Sequence, residues 1–325
     1  MSDTVALVLA AGKSTRMKSD LPKVLHPISG RPMIEFVLDA AREAGATRII
    51  VVTGHQSERV RSALEHHEDI DFALQSEQKG TGHAVMMCDP FLESHKGPVL
   101  VLAGDTPLLR GTSLSQLISS LEQQQAACII GSAETPDNYG LGRILRNSEG
   151  EFLRIVEQKD ASEKEAAITE INTGCYAFDG ESLRASLQEI RPNNSQSEYY
   201  LTDCPEVLLK SGQRVNASPV FDINEAKGVN NRAQLAEIES VLQRRHAAEL
   251  MESGVTITAP STTYIDLRAS IAAETIVHPF TVIRGAARIG QRCELGPHAV
   301  ITGPVQLPDD TVAGPFTHLN HADEP

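Results

Sequence analysis

The stretch VALVLAAGKSTRM, residues 5–17, joins an apolar strand to a loop of small and basic residues and decides the fold of the amino-terminal half. Small side chains at Ala10, Ala11 and Gly12 let backbone amides approach an anionic ligand closely. Basic side chains follow at four positions, Lys13, Arg16, Lys18 and Lys23. Positive charge of this density neutralises the phosphates of a nucleoside triphosphate, so the stretch predicts a strand that ends at a phosphate-binding loop.

Two common phosphate-binding loops are excluded by the spacing of the glycines. A P-loop has the pattern GxxxxGK[ST], and although residues 12–14 match its end, Leu7 stands where its first glycine is required. A dinucleotide-binding turn requires GxGxxG, whereas this loop contains a single glycine, Gly12. A tight turn between strand and helix, with its charges simply solvated, remains open at this point.

Strand-like and helical patterns alternate over the first half of the chain. Apolar and β-branched runs predict strands at residues 5–9, 48–52, 72–74, 99–102, 127–131, 142–145 and 174–178, with helices at 33–44 and 58–64. This alternation is typical of an α/β domain with a Rossmann-like, mixed but mainly parallel sheet, where ligands bind beyond the carboxyl ends of the strands. Three segments are expected at that edge: the loop from Ala10, residues 75–82 and the turn at residues 104–106.

A six-residue repeat occupies the carboxyl-terminal part. From Ile271 the chain divides into IAAETI, VHPFTV, IRGAAR, IGQRCE, LGPHAV, ITGPVQ, LPDDTV and AGPFTH, and every unit but the last begins with an aliphatic residue. This period predicts a left-handed parallel β-helix with three hexads in each coil, and hence fewer than three complete coils. Residues 231–253 predict an amphipathic helix closed by Gly254. The expected domains are therefore residues 1–230, a linker helix at 231–254 and a short β-helix at 255–325.

Composition limits the function classes. The 325 residues carry a net charge of -14, which argues against a nucleic-acid-binding protein because phosphate contacts need a concentrated basic surface. The five cysteines are scattered, without the CxxC spacing of zinc or redox sites. The first residues do not form a secretory signal, and no run of 18 apolar residues predicts a membrane span. We therefore expect a cytoplasmic protein with neither nucleic-acid nor membrane partners.

Eight ordered motifs resemble the sugar nucleotidyltransferase family, specifically the bacterial N-acetylglucosamine-1-phosphate uridylyltransferases. They are LAAGKSTRM with DLPKVLHPISGRPM (9–17, 20–33), QSEQKGTGHA (75–84), AGDTPLL (103–109), NYGLGRI (138–144), IVEQKDA (155–161), EINTG (170–174), EYYLTD (198–203) and GVNNR (228–232). The resemblance covers residues 4–250 closely and the hexads more loosely. It implies that residues 1–230 form the nucleotidyltransferase domain, which uses UTP, a sugar-1-phosphate and Mg²⁺.

The resemblance also implies a role for particular residues. The catalytic positions are Arg16, Lys23 and Asp105, and the Mg²⁺ ligands are Asp105 and Asn230. Gln75 would read a uracil edge, Gly80 and Thr81 would contact base and ribose, and Gly142, Glu157 and Asn172 would bind the acetamido sugar. The further substrate-binding positions are Leu9, Ala10, Ala11, Gly12, Ala103, Gly104 and Asn230. Ala103 stands where relatives often carry an aromatic or hydroxyl residue, so sugar or ribose contacts there are expected to differ.

Several alternatives stay open from the sequence. Glucose-1-phosphate is the closest alternative substrate, and a non-catalytic nucleotide-sugar-binding protein is a second possibility. Family members with a long β-helix also acetylate glucosamine-1-phosphate, but no segment resembling their acetyl-coenzyme A site follows the eighth hexad, so we expect no acetyltransferase activity. The short β-helix is expected to pack against the catalytic domain or to mediate homotrimer contacts. Its histidines, His278, His298, His318 and His321, are expected to be ordinary surface residues.

Overall fold

The computed structural model describes residues 3–13 and 15–320 of the chain. Ser14 of the glycine loop and His321 lie outside the described residues. The chain divides into two compact units, one comprising Met1–His26 with Met33–Asn230 and the other comprising Pro27–Pro32 with Asn231–Pro325. The second unit thus takes up the predicted linker helix, the β-helix and a short early hairpin.

The elements up to residue 230 follow the predicted alternation. The strands are β1 (Thr4–Ala10), β2 (Pro27–Ile28), β3 (Arg31–Pro32), β4 (Ala46–Thr53), β5 (Ile70–Leu74), β6 (Pro98–Ala103), β7 (Cys128–Glu134), β8 (Gly142–Arg146), β9 (Phe152–Val156), β10 (Glu170–Asp179) and β11 (Val215–Ser218). The helices are α1 (Met33–Glu43), α2 (Ser57–Leu64), α3 (Thr81–Met86), α4 (Asp89–Leu92), α5 (Gly111–Gln124), α6 (Glu163–Ala166), α7 (Gly180–Glu189) and α8 (Cys204–Lys210). Short 3-10 turns lie at Thr15–Met17, Lys23–Leu25 and Leu201–Asp203.

The first unit is built on a nine-stranded mixed sheet. Seven strands run in the order β11-β7-β10-β6-β1-β4-β5, and β8 joins β10 and β9 at the side. Strands β1, β4, β5 and β6 are mutually parallel where they pair, whereas β10 is antiparallel to its three partners, β6, β7 and β8. The unit is therefore an α/β domain built on a mixed sheet of parallel and antiparallel strands, as the sequence predicts.

Alternate residues of β1 pack into two separate hydrophobic layers. Ala6 and Val8 belong to the layer that contains the apolar faces of α1 and α5, whereas Val5 and Leu7 belong to the layer that contains α7 and α8. The residues at the centre of both layers are buried, which explains why β1 is continuously apolar from Val5 to Ala10 and does not alternate with polar residues. The sheet lies between helices on both of its faces.

The pairing of the central strands determines where a ligand can bind. Leu9 of β1 pairs with Ala103 of β6 in parallel register, and the amide of Gly104 donates to the carbonyl oxygen of Leu9 at 2.9 Å. The glycine loop and the turn that carries Asp105 therefore leave the sheet side by side. Because β10 is antiparallel to β6, with Tyr176 opposite Val101, its first residues lie at the same edge.

The second unit begins its main part with α9 (Arg232–Glu252), where the side chain of Asn231 accepts from the amide of Gln234 at 2.9 Å. Strands β2 and β3 form a two-stranded antiparallel pair in this unit. Short strands then follow at β12 (Thr256–Ile257), β13 (Tyr264–Ile265), β14 (Ser270–Ile271), β15 (Ile276–Val277), β16 (Val282–Arg284), β17 (Arg288–Ile289), β18 (Glu294–Leu295), β19 (Val300–Thr302), β20 (Gln306–Leu307), β21 (Val312–Ala313) and β22 (His318–Leu319).

These short strands stack into three parallel sheets, which is the arrangement of a parallel β-helix. Each coil takes 18 residues, since Val277 pairs with Leu295 and Leu295 with Ala313. The residues that begin the eight hexads are all buried: Ile271, Val277, Ile283, Ile289, Leu295, Ile301, Leu307 and Ala313. The hexad period therefore correctly identified the inward positions.

The expected coil number was too low. Two of the three sheets contain four strands and the third contains three, because stacking starts at β12 rather than at Ile271. Buried Ile257 and Ile265 lie eight residues apart instead of six, so the first turn breaks the phase that the later units keep. Among the surface histidines, His298 stacks between Phe280 and Phe316 with ring centroids 4.8 and 5.1 Å away.

Two further features concern the cysteines and the helices. All five cysteines are unbridged and buried. Burial raises the pKa of the Cys88 and Cys204 thiols to about 12, so these thiols stay protonated at neutral pH. Among the described residues, none of the helices has both the length and the apolar character that crossing a membrane requires.

Candidate active site

A cleft of about 350 Å³ opens at the carboxyl edge of β1 and β6. It is lined by Leu9, Ala10, Ala11, Gly12, Pro22, Lys23, Val24, Gln75, Gln78, Gly80, Thr81, Ala84, Ala103, Asp105 and Glu198. Ten of these residues are predicted site residues. Predicted positions that lie almost 100 residues apart in the chain, such as Leu9 and Asp105, thus line the same cleft.

Four predicted residues with charged or polar side chains are linked by direct contacts at this cleft. The ammonium of Lys23 forms an ion pair with the carboxylate of Asp105, and the same Nζ atom donates to Oδ1 of Asn230 at 3.3 Å. Arg16 also donates to Oδ1 of Asn230, at 2.8 Å. Lys23 and Asp105 are both largely buried, with 16% and 20% of their side chains exposed, so their charges interact more strongly than a surface pair would.

Local backbone contacts hold Asp105 and Asn230 in place. The amide of Val229 donates to the carbonyl oxygen of Asp105 at 2.9 Å, which fixes the 228–230 segment against the Asp105 turn. A Cβ atom at Gly228 would lie 3.6 Å from Oδ2 of Asp105, so the glycine leaves the carboxylate uncovered on that side. The segment GVNNR therefore positions Asn230 through its two preceding residues.

The 75–82 segment closes one side of the cleft. Gln75 is only 3% exposed, and its amide nitrogen donates to the carbonyl oxygen of Gly80 at 3.0 Å. Gly80 has a φ of +104°, and a Cβ atom there would lie 2.5 Å from the carbonyl oxygen of Tyr199, so the close approach of these two loops requires glycine. The hydroxyl of Thr81 accepts from the amide of Leu201 at 3.2 Å, which ties the same two loops together.

Gln78 is a cleft residue that the sequence analysis quoted within a motif but did not select. Its side-chain nitrogen donates to the carbonyl oxygen of Ala11 at 2.7 Å and so links the 75–82 segment to the glycine loop. Pro22, Val24, Ala84 and Glu198 were likewise not selected, although all four lie within or beside the quoted motifs. Their proximity to the motifs was the available signal, since Pro22, Val24 and Ala84 are apolar and have no distinctive chemistry, and a single acidic residue such as Glu198 is common at a protein surface.

A second group forms around the start of β10. Gly142 pairs with Asn172 across β8 and β10, and a Cβ atom at Gly142 would lie 3.4 Å from that of Asn172. The amide nitrogen of Asn172 donates to the hydroxyl of Tyr176 at 2.7 Å. Glu157, directly after β9, accepts from the hydroxyl of Thr202 at 3.3 Å. These residues do not line the 350 Å³ cleft, but they occupy the same edge of the sheet.

Burial controls the protonation of this second group. Burial raises the pKa of Glu157, opposed by the hydrogen bond from Thr202 and reinforced by the charge of Asp160. Burial also raises the pKa of Tyr176 well above its usual value, with the charge of Glu157 adding to the effect. Tyr176 therefore remains a neutral hydroxyl that contacts Asn172 and lies near Glu157. The sequence analysis missed it because a buried aromatic residue in a strand normally indicates packing alone.

An acidic group continues from Glu157 onto the 198–203 segment. Burial, followed by the charges of Glu206, Glu157 and Asp160, raises the pKa of Asp203 to about 6. Asp203 lies at the end of the 3-10 turn that begins with Leu201 and precedes α8. The carboxyl groups of Asp203 and Glu157 are thus more easily protonated than isolated ones, which matters for the pH range in which the domain is most stable.

Comparison with known proteins gives consistent matches. A family model described as a MobA-like NTP transferase domain matches residues 6–195. "Bifunctional protein GlmU" of Brevibacillus brevis is 46% identical over 93% of this chain, and the protein of the same name from Pelobacter propionicus is 43% identical over 98%. The chain spans 65% of the length of the first of these relatives and 73% of the second.

A solved structure matches the fold. The crystal structure of UDP-glucose pyrophosphorylase complexed with UDP-glucose superposes with a TM-score of 0.59 at 21% sequence identity, covering 75% of this chain and all of that one. At this identity the match supports the architecture alone, namely a mixed α/β domain.

Proposed function

This chain belongs to the MobA-like NTP transferases and is a sugar nucleotidyltransferase related to the GlmU proteins, and on that premise we propose that it transfers UMP from UTP to N-acetylglucosamine-1-phosphate. The products would be UDP-N-acetylglucosamine and pyrophosphate. The proposal rests on one observation: beside the glycine loop, Lys23 forms an ion pair with Asp105 and a hydrogen bond with Asn230. Basic and oxygen-donating groups are thereby concentrated where a triphosphate would bind.

The oxygen donors of this group fit a magnesium ion. Oδ2 of Asp105 and Oδ1 of Asn230 both face one cation, which in this structure is the ammonium of Lys23. Carboxylate and amide oxygens are the ligands that Mg²⁺ prefers, whereas softer metals prefer nitrogen and sulfur donors. We propose that Asp105 and Asn230 hold Mg²⁺, which would neutralise phosphate charge when bound.

The protein's own groups then supply the remaining charge and alignment. Lys23 and Arg16 are placed to bind the phosphate oxygens, and the amides of the Ala11–Gly12 region can approach them because small side chains leave the backbone open. The sugar phosphate is already anionic at neutral pH, so its attack on the α-phosphorus requires no general base. Electrostatic stabilisation therefore supplies most of the rate enhancement in this proposal.

In this proposal, one side of the site binds the base and ribose of UTP, and the other side binds the sugar phosphate. On one side, Gln75, Gly80 and Thr81 surround the cleft where the base and ribose would bind. On the other side, Gly142, Glu157 and Asn172 would bind the acetamido sugar, with Tyr176 holding the Asn172 amide. We propose this division because the two groups lie at one edge of the same sheet.

A substrate panel tests the proposal directly. Pyrophosphate release is measured with UTP, ATP, GTP or CTP in combination with N-acetylglucosamine-1-phosphate or glucose-1-phosphate, with and without Mg²⁺. We expect the highest kcat/KM for UTP with N-acetylglucosamine-1-phosphate, and dependence on Mg²⁺. A preference for glucose-1-phosphate would replace the sugar assignment, and ligand binding without turnover by any pair would instead support a non-catalytic nucleotide-sugar-binding protein.

Three predictions concern the rest of the molecule. The absence of acetyl transfer stays a prediction, which incubation with acetyl-coenzyme A and glucosamine-1-phosphate tests. A homotrimer formed through the β-helix stays a prediction, which the molar mass in solution tests. The cytoplasmic location of the protein also stays a prediction, and cell fractionation tests it.

A further inference from the structure

Three side chains with metal-binding atoms converge away from the cleft, on the side of α1 and the turn after α2. Glu35, in the first turn of α1, points a carboxylate that is 8% exposed toward His66 and His67, the second and third residues after α2. Nε2 of His67 lies 3.1 and 3.0 Å from the two carboxylate oxygens of Glu35. Nε2 of His66 lies 3.8 Å from Oε1 of the same carboxylate.

These distances match those of a tetrahedral metal site. A zinc ion about 2.0–2.1 Å from nitrogen and oxygen ligands places those ligand atoms about 3.3 Å apart from one another. One ligand atom from each of the three residues lies within 4.8 Å of the other two. Oε1 of Glu35 lies 3.1 Å from Nε2 of His67 and 3.8 Å from Nε2 of His66, on either side of the tetrahedral value. Small side-chain adjustments would therefore bring all three within ligating distance of one ion.

A simple ion pair explains only part of this arrangement. The carboxylate of Glu35 needs a single imidazole to form a hydrogen-bonded pair, and His67 already supplies it at 3.0 Å. The ring of His66 nevertheless lies 3.9 Å from that of His67, between centroids, and directs its own Nε2 toward the same carboxylate. Two adjacent imidazoles with their nitrogen atoms near one carboxylate form the two-histidine, one-carboxylate donor set found in zinc sites.

We propose that Glu35, His66 and His67 bind a zinc-type divalent cation at a site separate from Asp105 and Asn230. Imidazole donors favour Zn²⁺, whereas the oxygen donors in the cleft favour Mg²⁺, so the two sites select different ions. His66 is 63% exposed, which leaves an entry path and room for a water molecule as the fourth ligand. The ion takes the place of the proton that Nε2 of His67 shares with Glu35.

The charge balance of the site follows from its ligands. Two neutral imidazoles and one carboxylate leave one unit of positive charge on a bound divalent ion. The carboxylate of Asp69, two residues after His67 in the chain, is held by Arg42 at 2.8 and 2.9 Å, so it does not compete as a ligand. Binding would join the turn after α2 to the first turn of α1.

The test measures metal binding rather than nucleotidyl transfer. Wild-type protein is titrated with Zn²⁺, and separately with Co²⁺ as a spectroscopic probe, in the presence of excess Mg²⁺ to saturate oxygen-donor sites. The variants are His66→Gln and His67→Gln. His278→Gln is the matched control, because His278 also contacts a carboxylate, that of Glu294 at 3.0 Å, but belongs to a two-residue pair on the β-helix.

We expect one Zn²⁺ per wild-type chain, a visible d–d absorption band with Co²⁺, and a higher Tm when Zn²⁺ is present. Each of the two site variants should weaken binding by at least about tenfold and lose the Co²⁺ band, since each removes one ligand. His278→Gln should bind as the wild type does. Absence of stoichiometric binding, or binding that survives His66→Gln and His67→Gln, overturns the proposal. Since His66 is exposed, its variant gives a result even where His67→Gln fails to fold.

Discussion

Lys23 and Asn230 are 207 positions apart in the chain, yet the ammonium nitrogen of one lies 3.3 Å from the amide oxygen of the other. The same nitrogen forms an ion pair with Asp105, so one cation joins three distant segments of the α/β unit. Lys23 is carried by the short 3-10 turn Lys23–Leu25, whereas Asp105 and Asn230 are held by loops that share a backbone hydrogen bond. This relationship motivates the first two predictions.

Lys23→Ala should lower kcat by at least about 100-fold, because it removes one preorganised positive charge from the site of phosphate transfer. The measurement is pyrophosphate release at saturating UTP and sugar phosphate. Lys96→Ala is the matched control, since Lys96 is an exposed lysine that pairs with the exposed Glu181 on the surface. A rate near that of the wild type for Lys23→Ala, at unchanged Tm, would show that Lys23 has no part in turnover.

Asn230→Ala should raise the Mg²⁺ concentration required for half-maximal rate by roughly tenfold or more, because an oxygen ligand is lost. The adjacent residue is the control: Asn231 caps α9 through Gln234, so Asn231→Ala should cost about 1 kcal/mol of stability without altering the Mg²⁺ dependence. Rate against Mg²⁺ concentration, with Tm for both variants, distinguishes the two roles. Identical Mg²⁺ curves for Asn230→Ala and the wild type would remove Asn230 from the metal site.

Local periodicity explains how much of the fold could be predicted. Leu7 and Val8 lie in a continuous apolar run because β1 is covered on both faces. Buried aliphatic residues such as Val277 and Ile283 recur every six residues because each hexad points one aliphatic side chain inward. The antiparallel direction of β10 could not be predicted in the same way. A buried strand has the same apolar pattern whichever way it runs, and its direction follows from the connections that precede it.

The contact between Asn172 and Tyr176 shows why part of the site could not be predicted. In a regular strand, residues four positions apart are separated by about 13 Å along the chain axis, too far for a hydrogen bond of these side chains. The pairing with β7 is irregular between these two residues, and Gly174 within that stretch has a φ of +78°. The irregularity shortens the distance and allows the 2.7 Å contact. Strand patterning contains no signal for it.

Asn172→Ala should raise the KM for the sugar phosphate by about tenfold and leave the KM for UTP nearly unchanged, because Asn172 belongs to the side of the site that we propose binds the sugar. Tyr176→Phe should raise the same KM by a smaller factor, roughly threefold, since it frees the Asn172 amide without removing it. Steady-state kinetics with each substrate varied in turn is the measurement. Equal increases in both KM values for Asn172→Ala would contradict the sugar assignment.

Asp203→Asn should stabilise the protein at neutral pH and have little effect in acid. The pKa of the Asp203 carboxyl is raised to about 6 in the folded state, chiefly by burial, so the folded protein retains a proton that the unfolded chain has already lost. This carboxyl therefore does not change the free energy of unfolding below about pH 4, where it is protonated in both states. As the pH rises from about 4 to 6 it lowers the free energy of unfolding, and above that range it has its full destabilising effect.

The neutral asparagine avoids this penalty. Above about pH 7, Asp203→Asn should raise the free energy of unfolding by an amount on the order of 1 kcal/mol. The value is this small because the carboxyl is partly exposed and solvent screens its interactions. Urea unfolding from about pH 4 to pH 8 measures the difference between the variant and the wild type. Glu149→Gln, at an exposed turn, should show no comparable pH-dependent gain. If the advantage of Asp203→Asn were greater in acid than at neutral pH, the carboxyl would be stabilised as an anion in the folded state, and the arrangement of Glu157, Asp160 and Glu206 around it would have to be different.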